Sequence, residues 1–170
     1  MTIKQVLFAS RELAASLAGH PYMAVISITD PETPDARLDP LFQHVLRVSF
    51  YDAEPADEYL PSPIPGMFDH LIAQQISNFV EQLHAAPFEI SVLVHCEYGV
   101  SRSAAVALFV EAYSGAPLKA REFACEANQW VIDRLSQPHP EMDIDIPPMK
   151  AVQERRVAQR ASLHQQARRA

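Results

Sequence analysis

The chain has 170 residues, of which 48% are hydrophobic and 21% charged, and a formal net charge of −7. This length suits one domain able to bury roughly 70% of its unfolded-chain surface, and the composition is that of a globular protein, not a disordered or fibrous one. No apolar stretch reaches the ~20 residues of a membrane span, and two cysteines, Cys96 and Cys125, make no disulfide framework, which fits a reducing, cytoplasmic setting.

Lys4 is the one cation before the first apolar patch, and Arg11-Glu12 interrupts that patch, so a signal peptide is not expected. Ile3 to Phe8 reads as a short edge strand. Ser10 then looks like an N-cap, with Glu12 in the first turn, Leu13 and Leu17 on one face and Gly19 as the C′ residue. Tyr22 to Thr29 is an apolar strand closed by Asp30-Pro31, residues 30–41 are a Pro- and Asp-rich loop, and Val45 to Tyr51 is a further strand. Asp52 to Pro65 forms a long loop holding Asp52, Glu54, Asp57 and Glu58 among prolines 55, 61, 63 and 65, and loops of that length in a compact domain are usually functional or disordered. From Gly66 to Ala86 the spacing of Phe68, Leu71, Ile72, Ile76, Phe79, Val80 and Leu83 predicts an amphipathic helix.

The β-branched run Ile90 to Val94 reads as a buried strand that stops at His95-Cys96, and Ala104 to Val110 has the composition of a buried helix ended by Gly115-Ala116-Pro117. A strand feeding a tight loop and a helix N-terminus leaves backbone N–H groups free, and the helix dipole adds positive potential there, so the junction suits an anion. The same field favours an ionised thiol at Cys96. Gly99 permits a backbone turn with positive φ, Arg102 offers a planar fork for two oxygens of a tetrahedral oxyanion, and Ser103 can hydrogen-bond the sulfur.

Residues 118–127 and 129–135 are expected to be two further helices, the second capped by Asn128, with Trp130, Val131 and Leu135 facing inward. Prolines 138, 140, 147 and 148 separate this region from a tail. Residues 150–170 hold Lys150 and five arginines against Glu154, a surplus of +5, so residues 1–149 carry −12 of the −7 total. An acidic body argues against nucleic acid as partner, and the tail reads as a solvated helix or disordered end. The division is therefore a single domain at 1–149 and a basic tail at 150–170. Strands alternating with helices imply an α/β fold with a central, mostly parallel sheet flanked by helices and a site at the carboxyl ends of the strands.

The segment His95-Cys96-Glu97-Tyr98-Gly99-Val100-Ser101-Arg102-Ser103 closely resembles the H-C-x-x-G-x-x-R-[ST] signature of cysteine-dependent protein tyrosine phosphatases, and the chain's size is similar to the compact dual-specificity branch, including small bacterial proteins. The element order is compatible with that resemblance over residues 1–136, although only the nine-residue loop is highly specific. The resemblance implies a phosphatase-type P-loop between strand and helix, with Cys96 as nucleophile toward a phosphomonoester and water hydrolysing the cysteinyl-phosphate. It also implies that the amides of Glu97, Tyr98, Gly99, Val100, Ser101 and Arg102, with the Arg102 guanidinium, hold the phosphoryl oxygens. A loop Asp serves as general acid in that family, here pointing to Asp52, with Asp57 or Glu54 as the alternatives. Tyr98 stands where the family carries a small residue, the interval from Asp52 to Cys96 is long for a compact member, and Glu97 and Val100 replace the lysines usual in inositol-lipid phosphatases.

Other residues have plainer readings. His95 reads as a buried imidazole that bonds backbone near the loop and orients the cysteine, Asp30 as a strand-ending residue before Pro31 in preference to one lining the cleft, and Cys125 as a small core residue rather than a redox partner of Cys96. His139, Glu141, Asp143 and Asp145 read as a solvated loop, so no metal or cofactor is expected. The function expected is a protein phosphotyrosine phosphatase, with phosphoserine or phosphothreonine as a further substrate and small phosphomonoesters accepted. The competing functions are a catalytically silent phosphoprotein-binding module and a different thiolate chemistry such as sulfur transfer or arsenate reduction. Substrate identity and oligomeric state stay open at this point.

Overall fold

A computed structural model describes residues 2–54 and 64–169, with some side chains of the last helix excepted. Asp57 and Glu58 lie outside the described residues. The elements run β1 (Ile3–Ser10), α1 (Arg11–Ser16), β2 (Met23–Thr29), β3 (His44–Ser49), α2 (His70–His84), β4 (Ile90–Cys96), α3 (Arg102–Ser114), a 3-10 helix (Arg121–Glu126), α4 (Gln129–Ser136) and α5 (Ala151–Arg169). The chain is an α/β protein whose four strands form one sheet in the order β1-β4-β2-β3, every pair parallel. Because all strands run the same way, Ser10, Thr29, Ser49 and Cys96 end on one edge of the sheet, and the segments that follow them meet there.

The central strand β4 is buried on both faces, as expected of a near-continuous apolar run in a parallel sheet. Val92, Val94 and Cys96 join the larger core, which holds α3 and the inner residues of α2 and α4. Leu93 packs on the other face with Ala14 of α1, Val25 and Phe42. Helix α3 is apolar all round and buried from Arg102 through Val110, so it is a core helix and not a surface one. Burial of side chains such as Leu108 and Phe109 contributes about 1.5–3 kcal/mol each, which anchors the loop at its N-terminus. Gly115, at φ 72°, ends the helix in the left-handed conformation.

Several boundaries differ from the sequence expectation. Ser10 caps α1 by accepting from the Leu13 amide, but the helix ends at Ser16, and the residue it buries is Ala14, with Leu13 52% exposed. Gly19 is not its C′ residue; a Cβ there would overlap Leu41 and Asp39, so it serves close packing. Helix α2 begins at His70 because Asp69 accepts from the Ile72 amide, and Gly66 lies in the preceding turn at φ 88°. Leu71, expected on the inner stripe, is 57% exposed, while Ala73 takes an inner position. The helix expected over 118–127 shrinks to the 3-10 helix. Pro117 and Lys119 hydrogen-bond Val6 of β1 and cover that sheet edge, and Ala120 at φ 53° delays the helical start. No helix among the described residues is long and apolar enough to cross a membrane.

Candidate active site

Three strand ends supply the site: Asp30 after β2, Phe50 and Asp52 after β3, and Cys96 closing β4. This is the placement expected for open parallel sheets, where the carboxyl ends open onto one crevice. Cys96 is buried, and its Sγ lies 3.1 Å from Ser103 Oγ in the first turn of α3.

The loop from Glu97 to Ser101 is shaped by contacts that use its carbonyls. Glu97 O accepts from the Arg11 amide, and Ser101 O accepts from the amides of Ala105 and Asn128. None of the amide N–H groups of Glu97 through Arg102 donates to another group among the described residues. Gly99 sits at φ 68°, and a Cβ there would come within 2.4 Å of the Ala9 carbonyl carbon and the Ser10 nitrogen. The loop therefore lies directly on the end of β1, and only glycine allows it. The Glu97 side chain is turned toward Arg11, with Oε2 3.8 Å from Nη1. The α3 N-cap residue, Ser101, makes no cap bond with its side chain; its hydroxyl donates to Asp52 Oδ1 at 2.8 Å.

Arg102 is 4% exposed. Its Nη1 donates to Asp30 Oδ1 at 2.7 Å and to the Phe50 carbonyl at 2.6 Å, and its guanidinium stands 5.9 Å from the Phe50 ring centroid. Its Nε is buried and has no hydrogen-bond partner among the described residues. A buried donor left unpaired costs about 1–3 kcal/mol, and more when it is charged, so this nitrogen marks where an acceptor belongs. Cys96, Arg102 and Asp52 line one cavity of about 590 Å³ with Tyr98, Val100 and Ser101, and Glu126 and Arg160 complete its rim.

Asp52 is held over that cavity by two donors, the Ser101 hydroxyl and Asn128 Nδ2, both 2.8 Å from Oδ1. No bond engages Oδ2 among the described residues. Glu54, the second acid considered for the same role, accepts from the Gln129 amide at 2.8 Å and so satisfies the first turn of α4. The third, Asp57, lies outside the described residues. His95 is fully buried between its neighbours: Nε2 lies 2.7 Å from Ser27 Oγ, and Nδ1 faces the Cys96 carbonyl. Since a carbonyl only accepts, Nδ1 carries the proton and Ser27 donates to Nε2. Burial pushes the His95 pKa down from 6.5 to about 4, against the carbonyl hydrogen bond, with the charges of Arg11 and Arg47 adding to the fall. The ring is neutral at pH 7, buried and bonded to backbone beside the loop, as expected from the sequence.

Two residues matter more than the sequence reading allowed. Asp30 does more than end a strand, because its carboxylate fixes the orientation of Arg102. Asn128 caps α4 through Oδ1, which accepts from the Val131 amide, and also holds Asp52 through Nδ2. The signal for Asp30 was its place just past the carboxyl end of a buried strand; Asn128 carried only a capping signal. Cys125, read as a core residue, is half-buried and faces a groove beside Gly99 and Val100, and burial with the nearby Glu126 carboxylate pushes its thiol up, away from nucleophilic use. Among the described residues no group of three or more His, Cys, Asp or Glu is gathered as metal ligands; His139 packs instead against Phe109 and Tyr113. Comparison of the chain with models of known protein families gives no match, and none is found among curated proteins.

Proposed function

We propose that the chain is a phosphomonoester hydrolase of the cysteine-dependent protein tyrosine phosphatase type, compact and dual-specificity-like, acting on phosphotyrosine in cytoplasmic proteins through a cysteinyl-phosphate. The observation that carries the reading is that Arg102, whose buried Nε has no hydrogen-bond partner among the described residues, lines the same cavity as Cys96, beside six loop amides that no protein group takes among the described residues. A tetrahedral dianion supplies acceptors for those donors, whereas a neutral ligand leaves most of them unsatisfied.

In this reading the Cys96 thiolate attacks phosphorus, an S–P bond forms and the P–O bond to the leaving group breaks. Asp52 gives its proton to the departing oxygen, and the resulting carboxylate then takes a proton from the water that hydrolyses the S–P bond. Arg102 and the loop amides stabilise the charge on the equatorial oxygens in both steps. The Ser103 hydroxyl stabilises the sulfur anion released in the second.

Steady-state hydrolysis of a small aryl phosphate tests the proposal. Turnover is expected from the native chain, with loss to background in Cys96→Ser and a fall of about 100-fold in kcat for Asp52→Asn. Binding of a phosphotyrosyl peptide with no turnover by the native chain would instead identify a silent phosphate-binding module. Full activity in Cys96→Ser would sink both.

A further inference from the structure

One side chain, that of Arg11 at the start of α1, ties the Cys96 loop to the segment that carries Asp30. The Arg11 amide donates to Glu97 O at 3.2 Å, and Nη1 lies 3.8 Å from Glu97 Oε2. Its Nη2 donates to the carbonyls of Pro34, at 2.7 Å, and Asp35, at 3.0 Å. Between those carbonyls and Asp30 the chain makes a tight turn, in which the Thr33 amide and hydroxyl both donate to Asp30 O, at 3.2 and 2.6 Å. Asp30 in turn accepts from Arg102 Nη1. These contacts close a ring that leaves the Cys96 loop at Glu97 and returns to it at Arg102.

Polar bonds have to hold the turn, because none of residues 31–35 is buried and the first buried side chain after Asp30 is Ala36. Glu32 also stands at φ 65°, a left-handed conformation that costs energy in a non-glycine residue and persists where the surroundings hold it. A guanidinium nitrogen whose two hydrogens each meet a carbonyl fixes the position and the direction of the turn together. Arg47 is a second cation on this segment, but it reaches Ala36 O at 3.2 Å and Asp35 Oδ2 at 3.7 Å, beside a residue that burial already anchors. From this ring we infer, resting on the anion site of the reading above, that Arg11 is a positioning residue. It sets the place of Asp30 and, through Asp30, the direction in which Arg102 meets a phosphate.

Binding of inorganic phosphate to the full chain, measured by titration calorimetry, tests the inference through a double-mutant cycle and does not depend on turnover. Arg11→Met keeps the apolar stem and removes the donors, and it is expected to weaken phosphate binding about fivefold. Arg11→Lys, which carries the charge without the planar fork, should recover only part of that loss. In the Asp30→Ala background, itself about tenfold weaker than native, Arg11→Met is expected to change little, since the group it acts through is gone. The double variant then stays near a tenfold loss instead of reaching about fiftyfold. Arg47→Met, the control, should bind within about twofold of the native chain. Losses that multiply in the double variant overturn the inference, as does native affinity in Arg11→Met or an equal loss in Arg47→Met. The same cycle run with Arg11→Lys gives the answer if the methionine variant does not fold. Aryl phosphate hydrolysis by the native chain, measured alongside, reports separately on the phosphatase reading: phosphate binding with the expected coupling but no turnover would remove that reading and leave Arg11 in its role.

Discussion

Arg102 is held at one nitrogen and, among the described residues, unpaired at another, and it lines the same cavity as Cys96. Asp30 and the Phe50 carbonyl take Nη1, so the guanidinium plane is set before any ligand arrives and little rotamer entropy is left to lose on binding. Asp30 is 39% exposed on its side chain, so its pairing with Arg102 is weaker than a fully buried ion pair. Asp30→Ala is therefore expected to raise the inhibition constant for inorganic phosphate by about tenfold, about 1.4 kcal/mol, while Asp30→Asn, which keeps an acceptor oxygen, should recover most of it. Inhibition of aryl phosphate turnover measures both. His95 gives a second prediction at this scale. Its folded pKa of about 4 lies below the unfolded 6.5, so between those values the unfolded chain binds more protons and stability falls as pH falls. The contribution is intact above pH 6.5 and fully lost below 4, amounting to about 3 kcal/mol. Denaturant unfolding from pH 7 to 4 should show a shallower decline in His95→Gln than in the native chain.

At the level of elements, the site depends on how the loop between β4 and α3 is pinned at both sides. On one side Gly99 rests on the end of β1. Gly99→Ala would place a methyl group 2.4 Å from that backbone and hold a non-glycine residue at φ 68°, a combined cost of about 3 kcal/mol. Chemical denaturation should show that loss together with a collapse of activity. On the other side the α4 N-terminus holds the loop, since the Asn128 amide bonds Ser101 O and its side chain bonds Asp52. Asn128→Ser keeps a good cap but removes the donor to Asp52, so kcat is expected to fall about tenfold with little change in stability. Asn128→Ala removes both and should lose a further ~1 kcal/mol of stability. An unchanged kcat in Asn128→Ser would show that Asn128 is only a cap.

For the molecule as a whole, the division of charge governs how α5 behaves. Its described residues are almost all exposed, with Val157 the partly buried exception, and a helix polar on every side has little burial to hold it. The body, at −12, and the tail, at +5, attract each other, and salt screens that attraction over about 10 Å at 0.1 M. Raising salt should therefore speed amide hydrogen exchange in α5 while leaving exchange in α3 and β4 unchanged, because those elements are fixed by core packing. Equal protection of α5 at low and high salt would show that packing holds it.

Local sequence determined much of this architecture. The apolar run at 90–94, the buried composition of 104–110 and the caps at Ser10 and Asn128 are short-range signals, and short-range physics reads them. So is the juxtaposition of Cys96 with Ser103, since seven residues across one tight turn leave them nowhere else to go. Other features were decided by the tertiary structure alone. Asp30 meets Arg102 across 72 positions and Asn128 meets Asp52 across 76, contacts created by strands that all end on one edge of the sheet. The early stop of α1, the exposure of Leu71 and the shortening of the helix at 118–127 came from neighbours, such as β1 pulling Pro117 and Lys119 to its edge, that no local pattern encodes. The position of α5 beside Tyr98 belongs to the same class: charge alone told that the tail was basic, and only the fold put it at the mouth of the cavity.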